Sequence, residues 1–269
     1  MLSRDTGWPA TMEGAVRSGE AAAGSTDAQV AGREPVAVRS SATTEDADDA
    51  SFAGLQDTFL WVLDGPEMVR KVRECWGSLY SVESMTYRRK KDFPEEGVAM
   101  AVVVQAMVDA RCAGVMFTRS PTTGDKSVIT IEGAPGLGSA VVSGEVTPDR
   151  WVLGKITGEI SVRDISDKHA KQVPAEGGGI KEVELEGAER SAPCLTDDEL
   201  QQLRAAGRAI ERHYGKPQDI EWALDEAGEL FLLQSRPETV WSAKDAAAPV
   251  KPPEDNPLKH VMSIFGGKR

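Results

Sequence analysis

Hydrophobic residues along this 269-residue chain gather in short blocks between polar and glycine-rich stretches. Blocks of four to eight apolar, β-branched or aromatic residues bounded by turn formers predict strands. On that rule PVAV (35–38), TFLWVL (58–63), VAMAVVVQAMV (98–108), GVMFT (114–118) and SVITIEG (127–133) are strands, with a TTGD turn between the last two. WVLG and EISVRDI predict a further hairpin. Helical spacing appears twice. After Asp64-Gly65, Pro66 suits a first helical turn. Val69, Val72, Trp76, Leu79 and Val82 then follow at helical intervals, and RRKK closes the segment with positive charge. Farther on, Thr196 and Glu199 form a capping-box pair, and Leu200, Leu203 and Ile210 share one face. Gly215 ends that helix and Pro217 bars its continuation. Mixed strands with two substantial helices define an α+β sheet domain.

The ends lack this patterning. Residues 1–34 are rich in Ala, Gly, Ser and charge and predict disorder or a weak helix. Residues 243–257 read as an extended proline-containing linker. The tail carries a small apolar cluster, Val261, Met262, Ile264 and Phe265, that either docks or frays. The ordered domain is therefore expected over 35–242.

A net charge of -12 argues against a nucleic-acid surface and against docking on anionic membrane. It leaves room for an anionic ligand, because local arginines can still bind phosphate. Cys75, Cys112 and Cys194 match neither a disulfide framework nor a zinc site, so reduced thiols in a cytoplasmic protein are expected. The longest apolar run is too short to span a bilayer, and the N-terminus lacks the apolar core of a signal peptide.

Chemistry concentrates in DIEWALDEAGELFLLQSR (219–236). Two strands flank DEAG. With Ala227-Gly228 as a two-residue turn, Glu226 faces Glu229 and Glu221 lies opposite Gln234. Opposed side chains on one sheet face stand about 5 Å apart at Cβ. A carboxylate and an amide oxygen at that spacing can share one hard cation. Mg²⁺ typically binds through one or two protein oxygens plus substrate phosphates. Arg236, two residues beyond Gln234, falls on the same face, where it could hold such a phosphate. The same spacing also describes a solvated hairpin end with a surface ion pair.

A second constellation is VAVRSSATTEDADDASFAGLQDT (36–58). A strand delivers Arg39, then small hydroxyl residues, an acidic loop, Gly54 and Thr58. Such a loop can wrap phosphate with backbone N–H groups. Glu45, Asp46, Asp48 and Asp49 favour the alternative, an acidic surface loop with N-capping Ser and Thr. The stretch GAPGLGSAVVSGEVTPD (133–149) fails the dinucleotide pattern, because Val141 stands where the third glycine belongs. Close packing at a glycine-rich turn is expected there. His169, His213 and His260 show no metal or nucleophile spacing. His213 falls near a helix end, where a cation suits the dipole.

Taken in order, PVAVRSSATTEDADDASFAGLQDT, VVVQAMV, AGVMFTRSPTTGD, GLGSAVVSGEVTPD and PQDIEWA…LLQSRPET resemble the nucleotide-binding domain of phosphoenolpyruvate synthase and pyruvate phosphate dikinase. That group also includes rifampicin phosphotransferase and the ATP-binding subunit of phenylphosphate synthase. The resemblance implies an ATP-grasp fold, with ATP and Mg²⁺ as cofactors. It also implies transfer of the β-phosphate of ATP to a histidine on a separate domain, with release of AMP and phosphate. By the resemblance, Arg39 and the loop containing Gly54, Gln56 and Thr58 hold phosphates, and Gln105, Met107 and Val108 form the adenine hinge through backbone groups. Glu221 and Gln234 bind Mg²⁺, with Asp219 as a further metal candidate. Arg236, with Arg39 the other catalytic candidate, stabilises charge on the moving phosphoryl group.

Three departures from the family pattern stand out. The family opens with a Gly-Gly-Lys segment, yet residues 1–34 contain no lysine, so a truncated N-terminal lobe is expected. The family's GLGE reads GLGS here, with Ser139 in place of the acid. A histidine domain and an acceptor site are expected elsewhere than in these 269 residues. The expectation is an ATP-binding subunit of a split dikinase, working with a partner subunit that carries the phosphohistidine and the acceptor site. Phenylphosphate synthase fits that layout best, with phenol as acceptor. The alternative is a non-catalytic nucleotide-binding module that acts only within a complex.

Overall fold

The chain divides into two compact units, Met1–Glu238 and Thr239–Arg269. The computed structural model describes residues 34–42, 46–47, 50–51, 57–90, 98–239 and 241, almost all in the first unit. The predicted N-terminal segment, linker and apolar tail lie outside the described residues.

The first unit is built on two antiparallel sheets. In the smaller, β1 (Val36–Ala42) is flanked by β4 (Thr58–Val62) and β5 (Met100–Ala106). A short pair, β2 (Asp46–Ala47) and β3 (Ala50–Ser51), stands between β1 and β4 in the chain. One sheet face buries Val36, Val38 and Val62 against Cys75, with Met100, Val102 and Val104 packed around them. Strand alternation turns Arg39, the neighbour of Val38, to the other face. The pairing of β4 with β1 is interrupted between Val36 and Val38, and Trp61 there adopts the left-handed region at φ 58°.

One helix was expected after Pro66, and two form: α1 (Gly65–Ser78) and α2 (Val82–Lys90). Gly77 and Ser78 are weak helix formers. The Tyr80 and Ser81 amides bond back to Gly77 and Ser78 as turns, and the Ser81 hydroxyl then caps Ser84. The expected apolar stripe is also corrected. Val69, Trp76 and Val82 are exposed; Val72 and Leu79 are covered as expected, and Met68 and Cys75 join Val72 in the cluster against the sheet. Asp64 caps α1 by accepting from the Glu67 amide (2.7 Å).

The larger sheet has six strands in the order β13-β12-β6-β7-β8-β9. They are β6 (Ala110–Phe117), β7 (Val128–Pro135), β8 (Asp149–Gly154), β9 (Ile160–Asp164), β12 (Gln218–Asp225) and β13 (Leu230–Pro237). One face buries Met116, Ile131, Trp151, Ile220 and Trp222 against Leu200 and Leu203 of an amphipathic helix. That helix runs Asp197–Tyr214 and its expected caps are present. Thr196 and Glu199 close a capping box, and Gly215 ends the helix left-handed at φ 69°.

Between β7 and β8 lies one helical turn, α3 (Ser139–Val142); the long helix is α4. An unforeseen hairpin, β10 (Ala170–Pro174) and β11 (Ile180–Glu184), packs beside α3. Gly136 meets it at φ 80°, where a Cβ would stand 2.3 Å from the Gln172 carbonyl oxygen. The glycine-rich stretch thus serves close packing, as its pattern suggests. Lys168 and Asp149, both fully buried, pair at 2.6 Å ahead of β10. All three cysteines are buried free thiols. Among the described residues no helix is long and apolar enough to cross a membrane.

Candidate functional site

The inner faces of the two sheets meet through Arg39. Its Nη2 donates to Glu221 Oε2 and to Gln234 Oε1, each at 2.7 Å. Its Nη1 donates to Gln105 Oε1 at 3.4 Å, and Gln105 Nε2 in turn donates to the Leu233 carbonyl at 3.1 Å. One arginine of β1 therefore holds a carboxylate of β12 and an amide of β13. Glu221 sits on the polar face because Ile220 and Trp222, its neighbours along β12, fill the core, and Gln234 pairs with it across the ribbon.

The Glu221–Gln234 pairing is as expected, but the turn that produces it is not. Three residues, Glu226 to Gly228, close the hairpin between Asp225 and Glu229, with Gly228 at φ 78°. Leu224 thus faces Leu230 and Trp222 faces Leu232. An extra residue, Leu233, bulges from β13 before Gln234 and shifts the register by one. The longer loop and the bulge cancel, so Glu221 still meets Gln234. The bulge also frees the Leu233 carbonyl that Gln105 holds.

Asp219 faces Arg236 across the same ribbon, two residues outward. Arg236 Nε donates to Asp219 Oδ2 at 3.0 Å, and Nη2 forms an ion pair with the same oxygen at 2.9 Å. Burial raises the Asp219 pKa above its ordinary value against the pull of Arg236, and Glu221 and Glu238 push it further up. Glu132, which the sequence reading passed over, belongs to this face. Val115 of β6 lies opposite both Glu221 and Glu132, so the three residues line up across the sheet. Glu132 is half-buried, and burial raises its pKa, opposed by Arg150 and reinforced by Asp219. The alternation of SVITIEG already places Glu132 opposite Ile129 and Ile131; what that pattern lacks is which strands lie beside it.

The remaining predicted residues divide into three groups. Gly54 and Gln56 lie outside the described residues. Thr58 pairs directly with Arg39 in the sheet, and it lines a cleft of about 450 Å³ with Lys71, Ser139, Glu145 and Gln172. In that cleft the Ser139 hydroxyl bonds Gln172, whose amide nitrogen donates to Glu145 Oε2 at 2.8 Å. Gln105 pairs with Ala37 in the sheet while its side chain reaches Arg39 and the Leu233 carbonyl. The Met107 amide donates to the Pro35 carbonyl (2.9 Å). Val108 directly follows it beyond the end of β5.

The donor set suits a hard divalent cation. A carboxylate and an amide oxygen already converge on one cationic nitrogen, that of Arg39. Among the described residues no three His, Cys, Asp or Glu side chains form a metal cage. Phosphate or water oxygens would have to complete the shell, as is usual for Mg²⁺.

A family model described as pyruvate phosphate dikinase, AMP/ATP-binding domain, matches residues 2–256. The chain belongs to this family. The match passes both limits of the 35–242 span expected from the motifs. A probable phosphoenolpyruvate synthase of Archaeoglobus fulgidus is 48% identical over 204 residues, covering 76% of this chain and 27% of that protein. A rifampicin phosphotransferase of Streptomyces sp. is 43% identical over 232 residues, 86% of this chain and 26% of that one. The phosphoenolpyruvate synthase of Aeropyrum pernix is 41% identical over 260 residues, 86% and 32% respectively. The chain thus spans about a quarter to a third of these relatives. Membership of the pyruvate phosphate dikinase nucleotide-binding family identifies an ATP-binding domain of the kind found in ATP-dependent phosphotransferases.

Proposed function

We propose that this chain binds Mg-ATP and acts as the nucleotide clamp of a dikinase-type phosphotransferase with an ATP-grasp arrangement. The observation that carries the reading is the convergence of Glu221 Oε2 and Gln234 Oε1 on one cationic nitrogen, each at 2.7 Å. Glu221 and Gln234 would hold Mg²⁺, with Asp219 nearby as a further oxygen donor. The bound ion supplies neutralisation of polyphosphate charge. Arg39 takes phosphate oxygens and Thr58 offers its hydroxyl, with Gly54 and Gln56 the further phosphate-binding candidates that the family resemblance names. Arg236, oriented by Asp219, stabilises charge on the moving phosphoryl group. The groups after β5, from Gln105 to Val108, receive the adenine.

In the reaction a histidine nitrogen of a partner subunit bonds the β-phosphorus and the α,β-bridging P–O bond breaks, leaving AMP. Water takes the γ-phosphoryl as inorganic phosphate, and the phosphohistidine then phosphorylates a small acceptor such as phenol or pyruvate. The names of the relatives support this class of chemistry, and phenylphosphate synthase, whose parts lie on separate polypeptides, supplies the layout. Positioning and electrostatics are most of what phosphoryl transfer asks of a protein.

Calorimetric titration with Mg-ATP tests the clamp. Wild type should bind and Glu221→Ala should lose most of that affinity. A folded wild type that releases no heat would favour the non-catalytic alternative. Radiolabelled ATP incubated with a histidine-bearing partner should yield AMP; ADP as the product would identify an ordinary kinase instead.

A further inference from the structure

We propose that the Arg39 guanidinium is a resident counter-ion that divalent metal must displace, so that metal and polyphosphate enter together and metal alone is disfavoured. The inference rests on the metal and phosphate roles just proposed for these residues. Nη2 carries two N–H groups, and both are spent on Glu221 and Gln234 at 2.7 Å. The two oxygens intended for a cation thus already share one. Mg²⁺ takes its oxygens at about 2.0–2.1 Å, so the ion and the guanidinium cannot occupy that point together.

The cluster is well placed to hold its charge. The side chains of Arg39 and Glu221 retain only 23% and 27% of their exposure, so solvent screens the pair less than it would at the surface. Gln105 Oε1 braces the second arm, and Gln105 is itself fixed by the Leu233 carbonyl. Metal arriving alone must break two short hydrogen bonds to a charged donor and leave Arg39 without an acceptor of equal strength. Metal arriving with polyphosphate breaks the same bonds but returns an anionic acceptor to Arg39. Each ligand therefore strengthens the other, and by linkage the factor is the same in both directions. Arg39 is a positioning residue while the site waits and a phosphate ligand once nucleotide is bound.

The test is Mn²⁺ binding to the full chain without nucleotide, followed by the electron paramagnetic resonance signal of free Mn²⁺. Wild type should bind weakly. Arg39→Met should bind about tenfold tighter or better, the scale of a charge-assisted hydrogen bond. Arg39→Lys, with a compact ammonium in place of the fork, should gain less, and it serves if the methionine variant fails to fold. Adding a non-hydrolysable ATP analogue should tighten Mn²⁺ binding more in wild type than in Arg39→Met. Glu221→Gln should weaken Mn²⁺ binding in both backgrounds. If Glu221→Gln weakens binding but neither Arg39 variant gains affinity, displacement is wrong and the metal site stands. If Glu221→Gln changes nothing in either background, the metal site itself is wrong and the inference falls with it.

Discussion

Replacing Lys168 with methionine tests how the sheet and its neighbouring hairpin are joined. Lys168 Nζ lies 2.6 Å from Asp149 Oδ1, and both side chains are fully buried. The carboxylate also accepts the Ser166 amide at 2.9 Å and the Cys194 amide at 3.0 Å, tying β8 to the segment before α4. Methionine fills much of the lysine volume, so the loss is mainly electrostatic: a buried carboxylate without its counter-charge. Removing one partner of a buried pair costs about 3–5 kcal/mol. The two amides still solvate part of the charge, which places the expected loss near the lower end, about 3 kcal/mol. At a urea slope of about 3 kcal/mol/M the denaturation midpoint falls by about 1 M. Adding Asp149→Asn to Lys168→Met removes the orphaned charge, so the double variant should be more stable than the sum of the singles by about 1–3 kcal/mol. A midpoint within about 0.3 M of wild type for Lys168→Met, or strict additivity in the cycle, would refute the reasoning.

Three further outcomes follow from the packing and the charges. Gly114→Ala places a Cβ 2.0 Å from the Glu132 carbonyl oxygen and 2.7 Å from the Gly133 Cα, so it should destabilise by about 3 kcal/mol or more; an unchanged melting temperature contradicts this. Glu132 and Asp219 hold protons more tightly in the folded chain than in the unfolded one. Between the ordinary carboxylate range near about 4 and their raised folded values, the folded state binds more protons, so their contribution falls as pH rises. Glu132→Gln should therefore gain stability on wild type as pH climbs through that window, read from melting temperatures. A gain that grows toward acid pH would reverse the sign. Burial pushes the Cys75 thiol up to about 11 and raises that of Cys194, where contact with Cys112 is the largest cause. Ellman's reagent should find the three thiols unreactive in the native chain at pH 8 and all three reactive in urea; fast native labelling contradicts the burial.

Where local pattern decides structure, the sequence is readable. Thr196, Glu199 and Gly215 announce α4 because caps act within one turn, and the alternation of SVITIEG assigns its faces. Where structure depends on a neighbour, it is not. The expected stripe Val69–Val72–Trp76–Leu79–Val82 has helical spacing, and Val72 and Leu79 are covered, yet Val69, Trp76 and Val82 stay exposed while Met68 and Cys75 pack on the sheet. Strands β10 and β11 carry mixed polar residues whose pairing needs the glycine-rich turn beside them. The candidate site shows both sides. Glu221 opposite Gln234 follows from counting outward from the turn, but a three-residue loop and a bulge at Leu233 had to offset each other. Arg39 is conspicuous in PVAVRSS, but its contact with residues 182 and 195 positions away is a product of topology. Glu132 joins the site only through the neighbours of Val115, which no local pattern encodes.

The central claim is that Glu221 and Gln234 jointly hold the divalent ion of a bound nucleotide. A crystal structure with Mn²⁺ and a non-hydrolysable ATP analogue, phased to show the anomalous signal of manganese, addresses it directly. The predicted result is one manganese peak bonded to Glu221 Oε2 and Gln234 Oε1, with Arg39 turned onto phosphate oxygens. A manganese peak elsewhere on the chain, with Arg39 still bonded to both side chains beside bound nucleotide, would contradict the account.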